Sequence, residues 1–328
     1  METSFLTLTL KREIPKNTVF HAHGLTFHWL NHGVMVIEPA GVDNSLPSII
    51  LSAGVHGNET APIELLDSIV ADLQSGSLSL TRPLLVLLGN LDAMNQGERY
   101  LDYDMNRLFC QNHRRFPDAR ESKRAAELEK AVIRFANDQL GPVYHFDLHT
   151  AIRGSHHMRF GLLPFVERGE YPDAFVEQLN ALALDALVIN HAPANTFSFF
   201  TKDQLNVESC TLELGSAKPF GHNNAADFTH IDQALRTMLE GKAPLQSQHP
   251  ALVYRVAQQI TKLSDEFRFY VADDVKNFTP YEPGFVLAED GETRYQVGKQ
   301  TEYVLFPNPK VKAGLRAGLM LVREPDDS

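Results

Sequence analysis

The hydrophobic pattern changes character twice along the chain. Between residues 48 and 245, short unbroken apolar runs alternate with segments whose apolar positions recur every three or four residues. That is the pattern of strands buried on both faces alternating with amphipathic helices. Strands are predicted from Ser48 to Val55, where Ile49, Ile50 and Leu51 are closed by Gly54, and near Leu84–Leu88, Val143–Phe146, Leu187–Asn190 and Cys210–Leu214. Ile63, Leu66, Ile69 and Leu73 mark a helix that tolerates Pro62 in its first turn. Ala125, Leu128, Val132, Phe135 and Gln139 or Leu140 mark another over Glu121–Leu140, and a third is predicted from Asp227 to Glu240, stopped by Gly241. The alternation predicts a three-layer α/β domain.

On either side the pattern is different. Residues 1 to 47 carry short apolar stretches, Phe5 to Leu10 and Gly33 to Ile37, between polar punctuation, as expected of antiparallel strands leading into the sheet. After Pro250, short β-rich runs are separated by Pro280, Pro283, Gly284, Gly291, Pro307, Pro309, Gly314 and Gly318, which predicts a small β domain. The boundary is expected in the Gly, Pro, Gln and Ser cluster from Gly241 to Pro250, giving units of 1–245 and 246–328. No repeat or low-complexity tract interrupts them.

Composition narrows the functional classes. A formal net charge of −11 over 328 residues argues against nucleic acid and anionic membranes as partners, while leaving room for a local basic pocket that takes an acidic small molecule. Cys110 and Cys210 are the only cysteines, too few for a disulfide framework, so a reducing, cytoplasmic setting is expected. The first residues lack the basic start and long apolar core of a signal peptide, and no run approaches membrane-spanning length.

The chemistry concentrates at predicted strand ends. His56 falls just past the first strand and Glu59 at the strand-to-helix junction, where ligands bind in open α/β sheets. Zinc accepts imidazole nitrogen and carboxylate oxygen together, and its catalytic sites use three protein ligands and one open position. The third is sought in His149, at the end of another strand-like run, with Asp147 placed to orient it. Taken alone, a His and a Glu three apart are more often solvated or capping residues. Glu213 on a further predicted strand strengthens the grouping. Between the ligand candidates, Arg99 to Arg107 forms a predicted loop with two arginines and Asn106, suited to holding a carboxylate or, alternatively, to exposed ion pairs with Asp102 and Asp104.

Gly54-Val55-His56-Gly57-Asn58-Glu59, Asp104-Met105-Asn106-Arg107, Asp147-Leu148-His149-Thr150 and Leu212-Glu213-Leu214-Gly215, in that order, resemble the succinylglutamate desuccinylase and aspartoacylase family, relatives of zinc carboxypeptidases. Thr150-Ala151-Ile152-Arg153-Gly154-Ser155 and the chain length point within it to the desuccinylase branch. The resemblance implies a three-layer mixed sheet of zinc-carboxypeptidase type with a smaller C-terminal β-rich domain capping the site. It implies one zinc ion held by His56, Glu59 and His149, with Glu213 as catalytic carboxylate and Arg99 polarising the scissile carbonyl. Asn106 and Arg107 match the pair that binds substrate carboxylate. The implied reaction is hydrolysis of N-succinylglutamate to succinate and glutamate, the last step of arginine degradation by succinylation. Aspartoacylases also use an arginine about ten residues before the catalytic glutamate. Here that neighbourhood reads Thr201-Lys202-Asp203-Gln204, so the contact does not transfer.

A substrate with a carboxylate on its acyl end calls for a further cation. Arg153 and Lys218, which follow soon after His149 and Glu213, are the candidates. His156 and His157 are close enough to Arg153 to line a pocket; the remaining histidines are read as capping, surface or packing residues. The alternatives are deacylation of another N-acyl amino acid, a metallocarboxypeptidase acting on peptides, and a non-catalytic zinc-binding scaffold. A structural zinc would call for four ligands, typically rich in Cys.

Overall fold

The computed structural model describes residues 4–151, 153–167, 170–247 and 250–325, so Ile152 of the quoted motif and residues 248–249 of the predicted linker lie outside the described residues. At its centre four strands, Leu84–Leu88, Ser48–Ala53, Val143–Ala151 and Glu208–Ser216, run parallel in that order across the sheet. They are buried almost throughout. Helices cover both faces, which is why both sets of alternating side chains are largely apolar.

One face packs Leu51, Ala53, Phe146, Leu148, Leu212 and Leu214 against Ile63, Leu66, Ile69 and Leu73 of the helix Thr60–Ser75 and Leu235 of the helix Thr229–Leu239. The other packs Ile50, Leu85, Leu87 and Val143 against Ala125, Leu128, Val132 and Phe135 of the helix Arg120–Asp138, together with Phe197 and Phe200. The predicted three layers are present. The long helix stops at Asp138 instead of Leu140, with Gln139 already extended and Leu140 88% exposed.

The N-terminal expectation is corrected in part. Phe5–Leu10 is a helix, not a strand: the Ser4 side chain accepts the Thr7 N–H as an N-cap, and Phe5 and Thr9, one turn apart, face inward. Phe5 meets Trp29 edge-on at 5.0 Å, so tertiary packing overrides the alternating Leu and Thr pattern. The antiparallel strands are Val19–Ala22, Leu25–Asn31 and Val34–Pro39, the last pairing with Leu84–Leu88.

Beyond Pro250 the chain is β-rich as predicted, and its first strand continues the sheet. Leu252–Thr261 pairs in parallel with Ala186–Ile189, from Leu252 opposite Ala186 to Arg255 opposite Ile189. Arg316–Arg323, Glu302–Leu305 and Thr279–Tyr281 extend that sheet to 13 strands among the described residues, and Arg268–Phe269, Val286–Asp290 and Thr293–Gln296 form a small separate one. A loop of this unit closes onto the exit of Val143–Ala151, where Ser155 bridges to Asn277 and Asn277 N–H donates to Gly154 O at 2.9 Å.

Candidate metal centre

The strand Ser48–Ala53 ends at Gly54, whose φ of 71° turns the chain out of the sheet. Gly57 follows in so tight a passage that a Cβ would stand 2.3 Å from the Ala93 carbonyl carbon and the Met94 nitrogen, both backbone atoms that cannot swing aside. This turn delivers His56, and Glu59 stands at the N-cap of the helix Thr60–Ser75. His149 and Glu213 arrive from the two adjacent parallel strands, directly opposite one another in register. The same alternation that sends Leu148, Leu212 and Leu214 into the core puts His149 and Glu213 on the other face.

His56, Glu59 and His149 each offer one ligand atom, and the three atoms lie within 4.8 Å of one another. All are nearly closed from solvent, at 4%, 2% and 2% exposure. His56 Nδ1 and His149 Nδ1 lie 2.8 and 2.9 Å from the two Glu59 oxygens. The outer nitrogens are held elsewhere: His56 Nε2 donates to Asp104 Oδ1 at 3.0 Å and His149 Nε2 to Asp147 Oδ2 at 2.9 Å. With the ring proton on Nε2, each Nδ1 keeps a lone pair directed at the cluster, as a metal ligand requires. His56 Nδ1 and Glu213 Oε2 are buried with no hydrogen-bond partner. Orphaned acceptors beside a two-imidazole, one-carboxylate donor set are what a divalent cation would satisfy.

The electrostatics favour positive charge here. Burial raises the Glu59 carboxyl, but His56 and His149 outweigh it and hold the group far below the usual range. Asp104 is likewise raised by burial and pulled lower overall by His56, Arg107 and Arg99, and Asp147 follows the same balance through His149. Glu213 goes the other way, pushed up to about 7 by burial and by the neighbouring Glu59 charge, with His149, His56 and Arg99 opposing. Two carboxylates in one pocket thus have opposite tendencies, one held ionised and one ready to take a proton.

The loop predicted from Arg99 to Arg107 wraps this cluster. Arg99 Nη1 donates to Glu59 Oε1 at 2.8 Å, and Asn106 Oδ1 accepts the Phe197 N–H at 3.0 Å. Arg107 Nη1 donates to the Asn106 carbonyl at 2.8 Å. Asp104 is no surface ion-pair partner, since it joins His56 to the Asn106 N–H. The Asp-x-Asn spacing of this Asx turn was the local signal for it. Glu121 had no such signal. Its carboxylate, 1% exposed, accepts the N–H groups of Leu101, Asp102 and Tyr103 and the Asn90 amide, pinning the loop to the next helix.

The two cations expected near the acyl end are occupied elsewhere. Arg153 Nη1 donates to the carbonyls of Asp273 and Val275 at 2.7 and 2.8 Å, fastening the C-terminal unit. Lys218 lies 3.7 Å from Asp227, with both side chains more than two-fifths exposed. Neither side chain hydrogen-bonds to the cluster among the described residues. His157 Nε2 is hydrogen-bonded to the Tyr254 hydroxyl at 2.9 Å, and its ring packs on Phe278. Lys202 pairs with Glu208 at 2.8 Å, so it does not stand in for the arginine missing before Glu213.

Comparison with known proteins gives this geometry a family. Residues 45–239 match the model of the succinylglutamate desuccinylase/aspartoacylase catalytic domain, and residues 249–324 match the AstE/AspA barrel-sandwich hybrid domain. The chain belongs to the succinylglutamate desuccinylase/aspartoacylase family. It is 43% identical over 321 residues to a succinylglutamate desuccinylase of Serratia proteamaculans, covering 98% of this chain and 97% of that one. Among solved structures, the desuccinylase of Vibrio parahaemolyticus superposes with a TM-score of 0.91 at 31% identity, covering 98% of this chain and 96% of that chain. That of Chromobacterium violaceum gives 0.87 at 38% identity, covering 100% and 99%. The similarity therefore extends through both family domains.

Proposed function

We propose that the chain hydrolyses the amide of N-succinyl-L-glutamate to succinate and glutamate, the last step of arginine catabolism by succinylation, with one zinc ion held by His56, Glu59 and His149. The observation that carries the reading is the register of His149 opposite Glu213, which sets a carboxylate pushed up to about 7 beside a closed cluster of three candidate ligands. Full-length similarity to succinylglutamate desuccinylases supports the choice of substrate.

When bound, zinc would supply Lewis acidity, polarising the amide carbonyl and bringing the pKa of a water to about 7. The remaining work falls to the chain's own groups. Glu213 accepts the proton of the attacking water and returns it to the departing glutamate nitrogen, a role worth roughly a hundred- to ten-thousandfold in rate. Its raised affinity for protons suits both halves of that exchange. Arg99 donates to Glu59 and is placed to turn its remaining N–H groups toward the developing oxyanion. Asn106 and Arg107 hold a carboxylate of the glutamate part. Asp104 and Asp147 keep the two imidazoles in the tautomer that leaves Nδ1 free.

The C-terminal unit, 246–328, caps the mouth through Arg153 and the Ser155 bridge to Asn277, which favours a small substrate over an extended peptide. Two free thiols suit the reducing cytoplasm, where we assign the reaction. Zinc analysis of the purified protein with an assay on N-succinylglutamate, N-acetylaspartate and a short peptide series tests the reading. It expects about one zinc per chain and release of succinate from the first substrate as the preferred reaction. Faster cleavage of the peptides or of N-acetylaspartate would overturn it.

A further inference from the structure

Regular pairing of the strand Glu208–Ser216 ends on Glu213. Toward one neighbouring strand the last partners in step are His149 and Glu213, and toward the other they are Phe160 and Glu213. Beyond them the register with Val143–Ala151 slips, so that Leu214 and Gly215 lie against Thr150 alone before Ala151 meets Ser216. Gly215 takes a φ of 114°, and a Cβ there would meet nothing within 4 Å, so the glycine serves the backbone bend and not a close approach. A bulge of this kind bends the strand and re-aims the side chains beside it. The Glu213 carboxylate depends on that aim, because its Oε2 is buried with no hydrogen-bond partner among the described residues to hold it.

The chain beyond the bulge is tied to both elements that carry candidate ligands. Ala217 N–H donates to Ala151 O at 3.3 Å, on the strand of His149. The other ties run to the helix Thr60–Ser75, which follows Glu59 directly. Its first residue, Thr60, is 2% exposed, and its hydroxyl donates to the Lys218 carbonyl at 2.6 Å while accepting from Asn223 Nδ2 at 2.7 Å. One turn on, the Glu64 carboxylate accepts from the same Asn223 amide at 2.8 Å and from the Gly221 N–H at 2.6 Å. Thr60 thus directs both hydrogen-bonding capacities of its hydroxyl to the segment that leaves the bulge, and none to its own helix. Deleting the hydroxyl would leave the Lys218 carbonyl and an Asn223 amide proton without these partners and release the far end of the bend.

We infer that Thr60 is a positioning residue: by clasping the chain just beyond the bulge, it fixes the direction of the Glu213 carboxylate relative to the ligand set to which the adjacent Glu59 belongs. The inference rests on the proposed role of Glu213 as the base and deepens it. The helix that follows one ligand then also sets the aim of the base, which keeps the two carboxylates in a fixed relation.

The test compares the full-length wild type, Thr60→Val, Thr60→Ser, Glu213→Gln and the Thr60→Val, Glu213→Gln double variant in kinetics on N-succinylglutamate, in zinc titration and in amide hydrogen exchange. Thr60→Val keeps the shape of the side chain without its hydroxyl. It is expected to lower kcat about tenfold while KM stays within about twofold and zinc affinity within about threefold. Thr60→Ser keeps the hydroxyl and is expected to retain kcat within about twofold. In the double variant, Thr60→Val should cost less than about twofold beyond Glu213→Gln, the non-additivity of residues that act through one another. Exchange of the Ala217 and Gly221 amides should quicken about tenfold in Thr60→Val, a readout independent of turnover. Lower stability with unchanged kcat, additive losses in the double variant, or unchanged exchange would each overturn the inference. Loss of zinc would place the effect of Thr60 on Glu59 and overturn the assignment to Glu213. Should Thr60→Val fail to fold, Asn223→Ala removes the bridging amide and leaves the helix intact; it is expected to lower kcat about three- to tenfold with zinc affinity kept, and full activity would overturn the inference. Failure of the functional reading looks different. Glu213→Gln at the wild-type rate would remove the base and the inference with it, whereas a fully active Thr60→Val beside an impaired Glu213→Gln would overturn the inference alone.

Discussion

His145 and His149 lie on the same face of one strand, at 0% and 2% exposure, yet their neighbours differ in kind. His145 sits between hydroxyls: Nε2 is 2.8 Å from the Ser52 oxygen and Nδ1 is 2.9 Å from the Thr201 oxygen. Burial dominates there and pushes the imidazole down to about 4, with Asp147 opposing. His149 sits between carboxylates, Asp147 on Nε2 and Glu59 on Nδ1, and these overturn the burial penalty and raise it well above its ordinary value. Backbone position and burial are almost the same at the two sites. What differs is whether the surroundings want a positive charge, and only around His149 do they.

Ser52 links the two environments, since its hydroxyl donates to Asp147 Oδ1 at 2.6 Å and so accepts the His145 Nε2–H. A neutral, rigid imidazole thus stands behind the carboxylate that orients the other. The contrast supports the proposal that His149 serves as a metal ligand while His145 has a supporting place.

Perturbing the charged side should have the largest functional effect. Glu213→Gln is expected to retain the fold and the metal while kcat falls by at least roughly a hundredfold. Rate assays alongside metal content check this, and metal loss would contradict the separation of base from ligand. One step further out, Asp147→Asn leaves His149 without its orienting carboxylate and should weaken metal affinity about ten- to a hundredfold, measured by competition with a chelator.

Perturbing the neutral side should change stability and not metal binding. Because the folded His145 titrates near 4, below its ordinary 6.5, the unfolded chain binds a proton in that window that the folded chain refuses. Its contribution is complete above pH 6.5 and is lost as pH falls toward 4. The wild type should therefore lose roughly 3 kcal/mol more stability than His145→Gln across that window in denaturant titrations. Parallel pH dependences would refute the neutral buried state. The smallest effect is expected at Lys202, which ion-pairs with Glu208 away from the cluster. Lys202→Met should leave kcat/KM within about twofold, and a larger loss would show that it contacts the substrate after all.

The parts of the site that were legible in the sequence are those fixed locally. The run Ile49-Ile50-Leu51 before Gly54, followed by helical periodicity from Ile63, determines where His56 and Glu59 must fall, and the final stretches of the strands that carry His149 and Glu213 follow the same logic, although both strands run two or three residues further. What pairs across the sheet could not be read that way. Arg153 follows His149 closely in sequence yet turns to the carbonyls of Asp273 and Val275. Glu121 resembles any acidic residue in the first turn of a helix until its three backbone partners are seen. Phe5–Leu10 alternates like a strand and is a helix because Ser4 caps it and Trp29 receives Phe5. Apart from the Ser4 cap, each of these depends on contacts distant in sequence.

The most direct test of the account is zinc titration, by calorimetry, of the chelator-treated wild type, His149→Ala and His145→Gln. The account predicts about one tight site in the wild type and in His145→Gln, and its loss in His149→Ala. A His149→Ala protein that still bound one zinc tightly, or a His145→Gln protein that did not, would contradict it.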